Sequence, residues 1–506
     1  MKFIQGQNRN QITLFPISLE SSIDEYSEVR LIDLFVDSLH MGDMGFKVDF
    51  VEDGRPAYNP KDLLKLYIYG YLNRTRSSRE LEKETKRNIE VIWLLKGLSP
   101  DHNTISNFRR DNPKSIKKVF RATVQIAKNF NLIGGKLIAG DGTKFRAQNS
   151  KKNNYNKKKI DRHLAYIDNK LKQYDDQLSE ADNDKQKLIK EEIEKHKNRR
   201  EGYEQLQNKL DKTGAKQISI TDPDSRHMIT RGVITEVAYN AQSTVDAKHN
   251  LPIDYEVTNT TDINAMSTMV ENAIEIVGNK KFDALFDKGY YNAEQINTCH
   301  KLGIETYVAI PAPGSTAPNK AYNLSEFKYN KEADTFTCPN GQTLRTNGKW
   351  YQKKTSRVKQ YKTSHCKICN VKAQCTSSKS QRLIEKHEFY EALVKNRKAL
   401  EKHPEKYKQR QAIVEHPFGT MKRQWGFDHI MTKKTIERAS ADVGLIFTVY
   451  SLRRIFNILG FSLLQEFLRM LVFFINTIFN AVKLKKLNFT PLYISANFTM
   501  QKKIIV

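Results

Sequence analysis

Acidic residues are the first thing this chain is short of: 57 Asp and Glu stand against 84 Lys and Arg, a formal net charge of +27. A compact fold with that surplus repels itself unless something anionic lies against it, and nucleic acid is the first candidate. Long apolar runs are also missing. The most apolar stretch, MLVFFINTIFNAV at 470–482, is 13 residues long and contains Asn476 and Asn480, short of the roughly 20 residues that span a bilayer. It reads as a packed helix or as a surface for a partner, and no membrane association is expected. The opening residues MKFIQGQNRNQITLFPISLE carry no continuous apolar segment and no small-residue cleavage site, so no secretory signal is expected and the chain is read as cytoplasmic. Cysteine is scarce, five in 506 residues, and disulfides are disfavoured in a reducing compartment. At this length two or three domains, or one domain with large insertions, are expected.

Of what is present, helices come first. In NPKDLLKLYIYGY, residues 59–71, a proline opens a run with Leu63, Leu64, Tyr67, Ile68 and Tyr71 at amphipathic spacing. LNRTRSSRELEKETKRNIEVIWLL follows, crowding Arg74, Arg76 and Arg79 at a turn, and DHNTISNFRRDN at 101–112 adds a capped start and the pair Arg109 and Arg110. Short helices with arginines at their junctions suggest a helix-turn-helix type DNA-binding module over 1–125; a solvated basic surface on an ordinary helical bundle is the alternative.

GGKLIAGDGTKFRAQNS at 134–150 places Asp141 at the end of the apolar run Leu137 to Ala139, followed by Gly142, Lys144 and Arg146. FDALFDKGYYNAEQI at 282–296 repeats the pattern with Asp287, Lys288 and Gly289. Each aspartate is either a helix cap or a metal ligand, and two of one kind suggest a single site assembled from the ends of different strands. Between them, residues 151–215 turn to Lys, Glu, Asp, Asn and Gln. Ile160, Leu164, Ile167, Leu171, Tyr174 and Leu178 form one seam there, and Ile189, Ile193, His196, Arg200, Tyr203 and Leu210 a weaker one. An antiparallel helical hairpin is expected, with disorder the alternative. Two strands in 234–259, a helix at 263–277, a strand into Asp287, a helix at 293–302 and a strand at 304–311 make a mixed α/β sheet.

Four of the five cysteines fall late: Cys338 in FTCPNGQ, then Cys366, Cys369 and Cys375 in HCKICNVKAQC. The spacing suits one tetrahedral Zn²⁺ bound by thiolates, against reduced cysteines in a loop. Cys299 reads as a small buried residue. Further on, YKQRQAIVEHPFGTMKRQWGF at 407–427 offers Glu415 after an Ala-Ile-Val run, with Lys422 seven residues later on the same helical face and suited to a phosphate.

Five blocks in order, IAGDGTKFRAQNS, TDPDSRHM, FDKGYYN, VEHPFGTMKR and VYSLRRIFNILG, resemble a DDE transposase of bacterial insertion sequences, with insertion-sequence family 1182 the nearest likeness, over about residues 30–460. The resemblance implies an RNase H-like α/β core with a mixed five-stranded sheet over 130–460. It would be interrupted by a helical hairpin at 151–215 and a Cys-rich segment at 313–400, and followed by a divergent tail at 461–506. It implies that Asp141, Asp287 and Glu415 hold two divalent ions, Mg²⁺ or Mn²⁺. One ion would activate water or a 3′-hydroxyl and the other would stabilise the leaving oxygen. It implies double-stranded DNA partners, the inverted-repeat ends and a target, a homodimer on DNA, and a nucleoid-associated protein. Arg74, Arg76, Arg79, Arg109, Arg110, Lys144, Arg146, Lys288, Arg410, Lys422 and Arg423 are the expected DNA contacts. The family's Tyr-Arg-Glu-Lys signature is met at Lys422, whereas position 411 is glutamine and Arg410 and Tyr407 stand one residue upstream of the pattern. A nuclease that cuts without joining, and a decayed transposase that only binds DNA, are the alternatives.

Overall fold

The computed structural model describes residues 18–48, 56–180, 182–312, 317–353 and 356–485. The chain divides into two compact units, residues 1–122 with 448–506, and residues 123–447. Among the described residues, 448–485 thus group with the N-terminal helices, a division that differs from the boundaries expected at about 125 and 460.

The first unit is helical. Ser27 caps α1 (Glu28–Asp37), and Asn59 caps α2 (Pro60–Leu72), whose first residue is the proline that suits that position. Every α2 residue from Leu63 to Leu72 is buried, including Lys65, which pairs with Asp33 at 2.6 Å and Asp37 at 3.1 Å. A buried ammonium is tolerated because two carboxylates of α1 meet it. Next come α3 (Ser78–Arg87), α4 (Ile89–Leu94), α5 (His102–Asp111) and α6 (Pro113–Asn129), the last running past the division. In the second unit α7 (Lys157–Glu180) and α8 (Asn183–Thr213) run antiparallel. Asp168 meets Arg200 at 2.9 Å, and Tyr155, Ile160 and Leu210 close the base of the pair.

The centre of the second unit is a six-stranded sheet, one strand more than expected: β1 (Leu137–Arg146), β2 (Arg226–Arg231), β3 (Ile234–Asp246), β4 (Leu251–Thr258), β5 (Asp283–Phe286) and β6 (Glu305–Val308). The order is β2–β3–β1–β5–β6, with β4 also paired to β3. Strands β2, β1 and β4 are antiparallel to β3, whereas β1, β5 and β6 are mutually parallel. The helices α9 (Met266–Val277) and α10 (Ala293–Lys301) follow β4 and β5. The helices α11 (Tyr390–Lys402) and α12 (Pro404–Gly419) cover one face, where Ala399, Ile413 and Val414 pack on Ala139, Val245, Leu285 and Tyr307.

The expectation that Asp141 ends its strand is corrected: β1 continues through Arg146, and Asp141 lies opposite Ser243 of β3. The Gly-Asp-Gly sequence looks like a turn by itself, but the 13 residues of β3 supply a template along which β1 keeps pairing. The cysteine-bearing segment is also more ordered than a loop. It holds an antiparallel sheet of β7 (Lys328–Asn330), β8 (Thr335–Thr337), β9 (Thr343–Gln352), β10 (Arg357–Lys362) and β11 (Ile384–His387) around Phe327, Phe336, Leu344, Tyr361 and Ile384. Asp334 ties this sheet together, accepting from the Tyr329 and Tyr361 hydroxyls at 2.6 Å and from Lys359 at 2.9 Å. Burial pushes its carboxyl up, but these donors outweigh that and hold it well below the usual range.

Two last helices, α13 (Ile436–Leu459) and α14 (Phe461–Lys485), end the described chain. In the first unit Phe461 meets Tyr26 edge-on at 5.5 Å, and Arg453 pairs with Glu28 of α1. Among the described residues no single helix is long and apolar enough to cross a membrane; residues 436–459 and 461–477 pass such a test only as a pair bent by 117°.

Candidate active site

Strand β5 is aligned with β1 so that Leu137 faces Asp283 and Ala139 faces Leu285. Asp141 and Asp287 each stand two residues beyond that last pair, and side chains two apart in a strand share a face. For Asp141 that face is the one covered by α12: its Oδ2 lies 3.4 Å from Arg410 Nη1, and its Oδ1 accepts from Gly142 N at 2.8 Å. Burial pushes the Asp141 carboxyl up to about 6, and the charges of Asp287 and Asp262 add to it against the pull of Arg410 and the Gly142 amide. Asp287 is the residue before the short helical turn Lys288–Tyr290, and its Oδ1 accepts from Gly289 N at 2.7 Å. It is therefore a cap by geometry, and it also contributes to the field at Asp141.

Glu415 is exposed on α12 and accepts from Gln411 Nε2 at 2.9 Å. Among the described residues no three His, Cys, Asp or Glu side chains stand close enough together to hold a metal ion.

A carboxylate that the sequence pattern did not single out lies in the same field. Asp262 follows β4 in the turn before α9, and its Oδ1 accepts from Asn240 Nδ2 and Gln242 Nε2, both at 2.7 Å, while Lys144 Nζ lies 3.1 Å from Oδ2. Burial raises its carboxyl, but Lys144 and the two amides outweigh burial and hold it below the ordinary range. The buried Tyr290 hydroxyl donates to Gln242 Oε1, and burial followed by the charges of Asp262, Asp141 and Asp287 pushes this phenol well above its usual value. A Thr-Thr-Asp stretch ahead of a helix looks like an ordinary helix start, which hides Asp262 in the sequence. Its signal is tertiary: three polar side chains of β1 and β3 turned toward it.

The expected DNA contacts divide by burial. Arg74, Arg79, Arg146, Lys288 and Arg423 are exposed. Arg110 is bound to Asp111 through two contacts of 2.6 Å. Arg76 and Arg109 are corrected: they are 6% and 4% exposed. The Arg109 guanidinium donates to the Tyr71 hydroxyl at 2.7 Å and the Arg76 carbonyl at 3.1 Å, and lies over the Tyr67 ring. Both arginines are parts of the bundle interior, where aromatic faces and carbonyls replace water. Arg410 likewise is largely buried against Asp141. Lys422 donates to the Lys144 carbonyl at 2.8 Å and Thr143 Oγ1 at 3.1 Å, so strand β1 engages the amine expected to meet a phosphate. With Lys144 and Arg146 it lines a cavity of about 220 Å³ that also contains Glu236 and Asp428.

All five cysteines are free, and Cys299 is buried. Cys338, Cys366, Cys369 and Cys375 line one small cavity of about 30 Å³ with Asn340, His365 and Arg382. Cys338 Sγ accepts from Gln342 N at 3.3 Å and Cys369 Sγ from Asn340 Nδ2 at 3.6 Å.

Two stretches of the chain match known families. Residues 17–111 match a family described as a transposase domain (DUF772), and residues 337–456 match one described as a transposase DDE domain. The second match includes the four late cysteines and Glu415; Asp141 and Asp287 lie between the two matches. No curated protein matches the chain.

Proposed function

We propose that this chain, whose two domain matches support a DDE transposase of insertion-sequence type, binds the terminal inverted repeats of its own element, hydrolyses DNA there and transfers the freed 3′ ends to a target. The observation that carries this beyond the domain matches is that Asp141 of β1 and Asp287, just past the end of β5, each stand two residues beyond the Ala139–Leu285 pair of these neighbouring parallel strands. Three antiparallel strands followed by two parallel ones, β4–β3–β1–β5–β6, support an RNase H-like core. The sequence blocks favour insertion-sequence family 1182.

Asp141, half-buried beside two like charges, offers carboxylate oxygens that a hard divalent cation, Mg²⁺ or Mn²⁺, would relieve, and such a cation would draw Glu415 in to complete a set that the described residues do not gather by themselves. Asp141, Asp287 and Glu415 would hold it, and when bound such ions activate a water or 3′-hydroxyl and stabilise the leaving oxygen of an in-line displacement at phosphorus. Until then Arg410 balances the charge of Asp141. Exposed Arg74, Arg79, Arg146, Lys288 and Arg423 meet phosphates, so affinity falls steeply with salt. Two ends must be brought together, which favours a homodimer on DNA. The four cysteines around one cavity, two of them accepting N–H bonds, favour a structural Zn²⁺.

The test is incubation of the full chain with duplex ends from the flanking DNA and a supercoiled target, in Mg²⁺ and in EDTA. Cleavage at the repeat ends with joined products, in Mg²⁺ alone, is expected. Cutting without joining would make the protein a nuclease of this fold, and binding without cutting a DNA-binding relic.

A further inference from the structure

Asp262 stands outside the three acidic residues assigned above, yet it is the most firmly held carboxylate of the site. Donors reach it from two strands: Lys144 from β1, and Asn240 and Gln242 from β3. Its closeness to the segment bearing Asp141 depends on a glycine, and a second glycine lies at ordinary contact distance on the segment bearing Asp287. A Cβ at Gly142, the neighbour of Asp141, would fall 2.5 Å from Asp262 Oδ1; one at Gly289, two residues after Asp287, would fall 3.5 Å from Asp262 Oδ2 and 2.9 Å from Asp287 Oδ1. At Gly142 no side chain larger than hydrogen fits without displacing the Asp262 carboxylate, whereas at Gly289 the group displaced would be Asp287.

A second observation points to a missing cationic or donor group at this place. Asn240 is fully buried, its amide nitrogen is used by Asp262 and the Thr260 carbonyl, and its Oδ1 has no hydrogen-bond donor. That oxygen faces Gly142, 2.8 Å from where a Cβ would lie. Buried acceptors are nearly always satisfied by protein, water or ion. A bare acceptor beside three carboxylates, with Lys144 and Arg410 as the balancing cations, leaves the site short of positive charge.

We propose that Asp262 is a positioning residue of the cation site: its charge, fixed between β1 and β3, deepens the negative field at Asp141 and Asp287 and so tightens the hold of those residues on a divalent ion. This rests on the metal-dependent function proposed above. Lys144 attenuates the same field, so Asp262 and Lys144 act with opposite sign on cation affinity. A purely structural Asp262 predicts no such opposition.

The experiment measures Mn²⁺ binding to the full chain by electron paramagnetic resonance, without DNA. Asp262→Asn keeps the size of the side chain and removes the charge; its Mn²⁺ dissociation constant should rise by about tenfold or more with DNA affinity unchanged. Lys144→Gln leaves Asp262 in place and should lower that constant at least threefold. Asp262→Asn within twofold of the parent overturns the inference while leaving the transposase function standing. Should Asp262→Asn fail to fold, Lys144→Gln decides: tightening supports the inference, and unchanged or weaker binding overturns it. A parent chain that binds no Mn²⁺ removes the metal site and this inference with it.

Discussion

Replacing Asp141 by Asn should stabilise the metal-free protein, and the gain should depend on pH. The Asp141 carboxyl is pushed up to about 6 in the fold, by burial first and then by Asp287 and Asp262, against an ordinary value of 3.8. Between these values the folded chain keeps a proton that the unfolded chain releases. Stability therefore falls as pH rises from about 4 to about 6, and the loss is complete above that. At roughly 1.4 kcal/mol per tenfold change, carrying the ionised carboxylate costs about 3 kcal/mol. Asparagine removes that cost and can still accept from the Gly142 amide, but it leaves Arg410 without its anionic partner. A net gain of about 1–3 kcal/mol at pH 7 is expected. Urea unfolding of parent and variant in EDTA, from pH 4 to 8, measures it: the difference should be near zero at pH 4, grow through pH 5 and level off above about 6. Added Mg²⁺ should stabilise the parent and not the variant. A difference that does not vary with pH, or a variant less stable than the parent at pH 7, refutes the account of a half-buried, mutually repelling carboxylate.

Other perturbations separate roles the sequence leaves open. Asp287→Asn preserves the cap on Gly289, since Asn and Asp cap about equally well. Its unfolding midpoint should stay near the parent's while Mg²⁺-dependent cleavage falls by on the order of 10³-fold or more; cleavage within tenfold would make Asp287 a cap alone. Arg109→Ala should cost about 2–4 kcal/mol in the helical unit, because the Tyr71 hydroxyl, the Arg76 carbonyl and the Tyr67 face lose one partner together. Arg74→Ala and Arg79→Ala should instead leave stability within about 0.5 kcal/mol and weaken binding to end DNA, as gel shifts over a salt series would show. Metal analysis of protein purified without chelator should find about one zinc per chain, lost in the Cys366→Ser, Cys369→Ser double variant; fewer than about 0.2 zinc in the parent would remove the thiolate site.

Periodicity and caps were the parts of the fold most legible in the chain. Asn59, Pro60 and the three-and-four spacing of Leu63, Leu64, Tyr67, Ile68 and Tyr71 mark a helix, and α2 spans Pro60–Leu72. The same local signals marked the charged seam that became α7 and α8, and the run DALF that became β5. The polar, irregular segment around the cysteines gave no comparable period. Its five short strands are held instead by the rings of Phe336 and Tyr361 and by Asp334 gathering Tyr329 of β7 with Tyr361 and Lys359 of β10, contacts that exist only between strands.

By itself the sequence determined whatever depends on residues a few positions apart: helix starts, strand runs, an excess of positive charge, and two aspartates each set after an apolar run and before a glycine and a lysine. The tertiary structure decided what depends on partners far along the chain. The length of β3 kept Asp141 inside a strand, the rings of Tyr67 and Tyr71 drew Arg109 and Arg76 out of water, and Lys144, Asn240 and Gln242 converged on Asp262. The physical reason is one of range. Propensity and capping act within a helical turn, whereas the ionisation and exposure of a side chain are set by whichever distant groups the fold brings within a few ångströms.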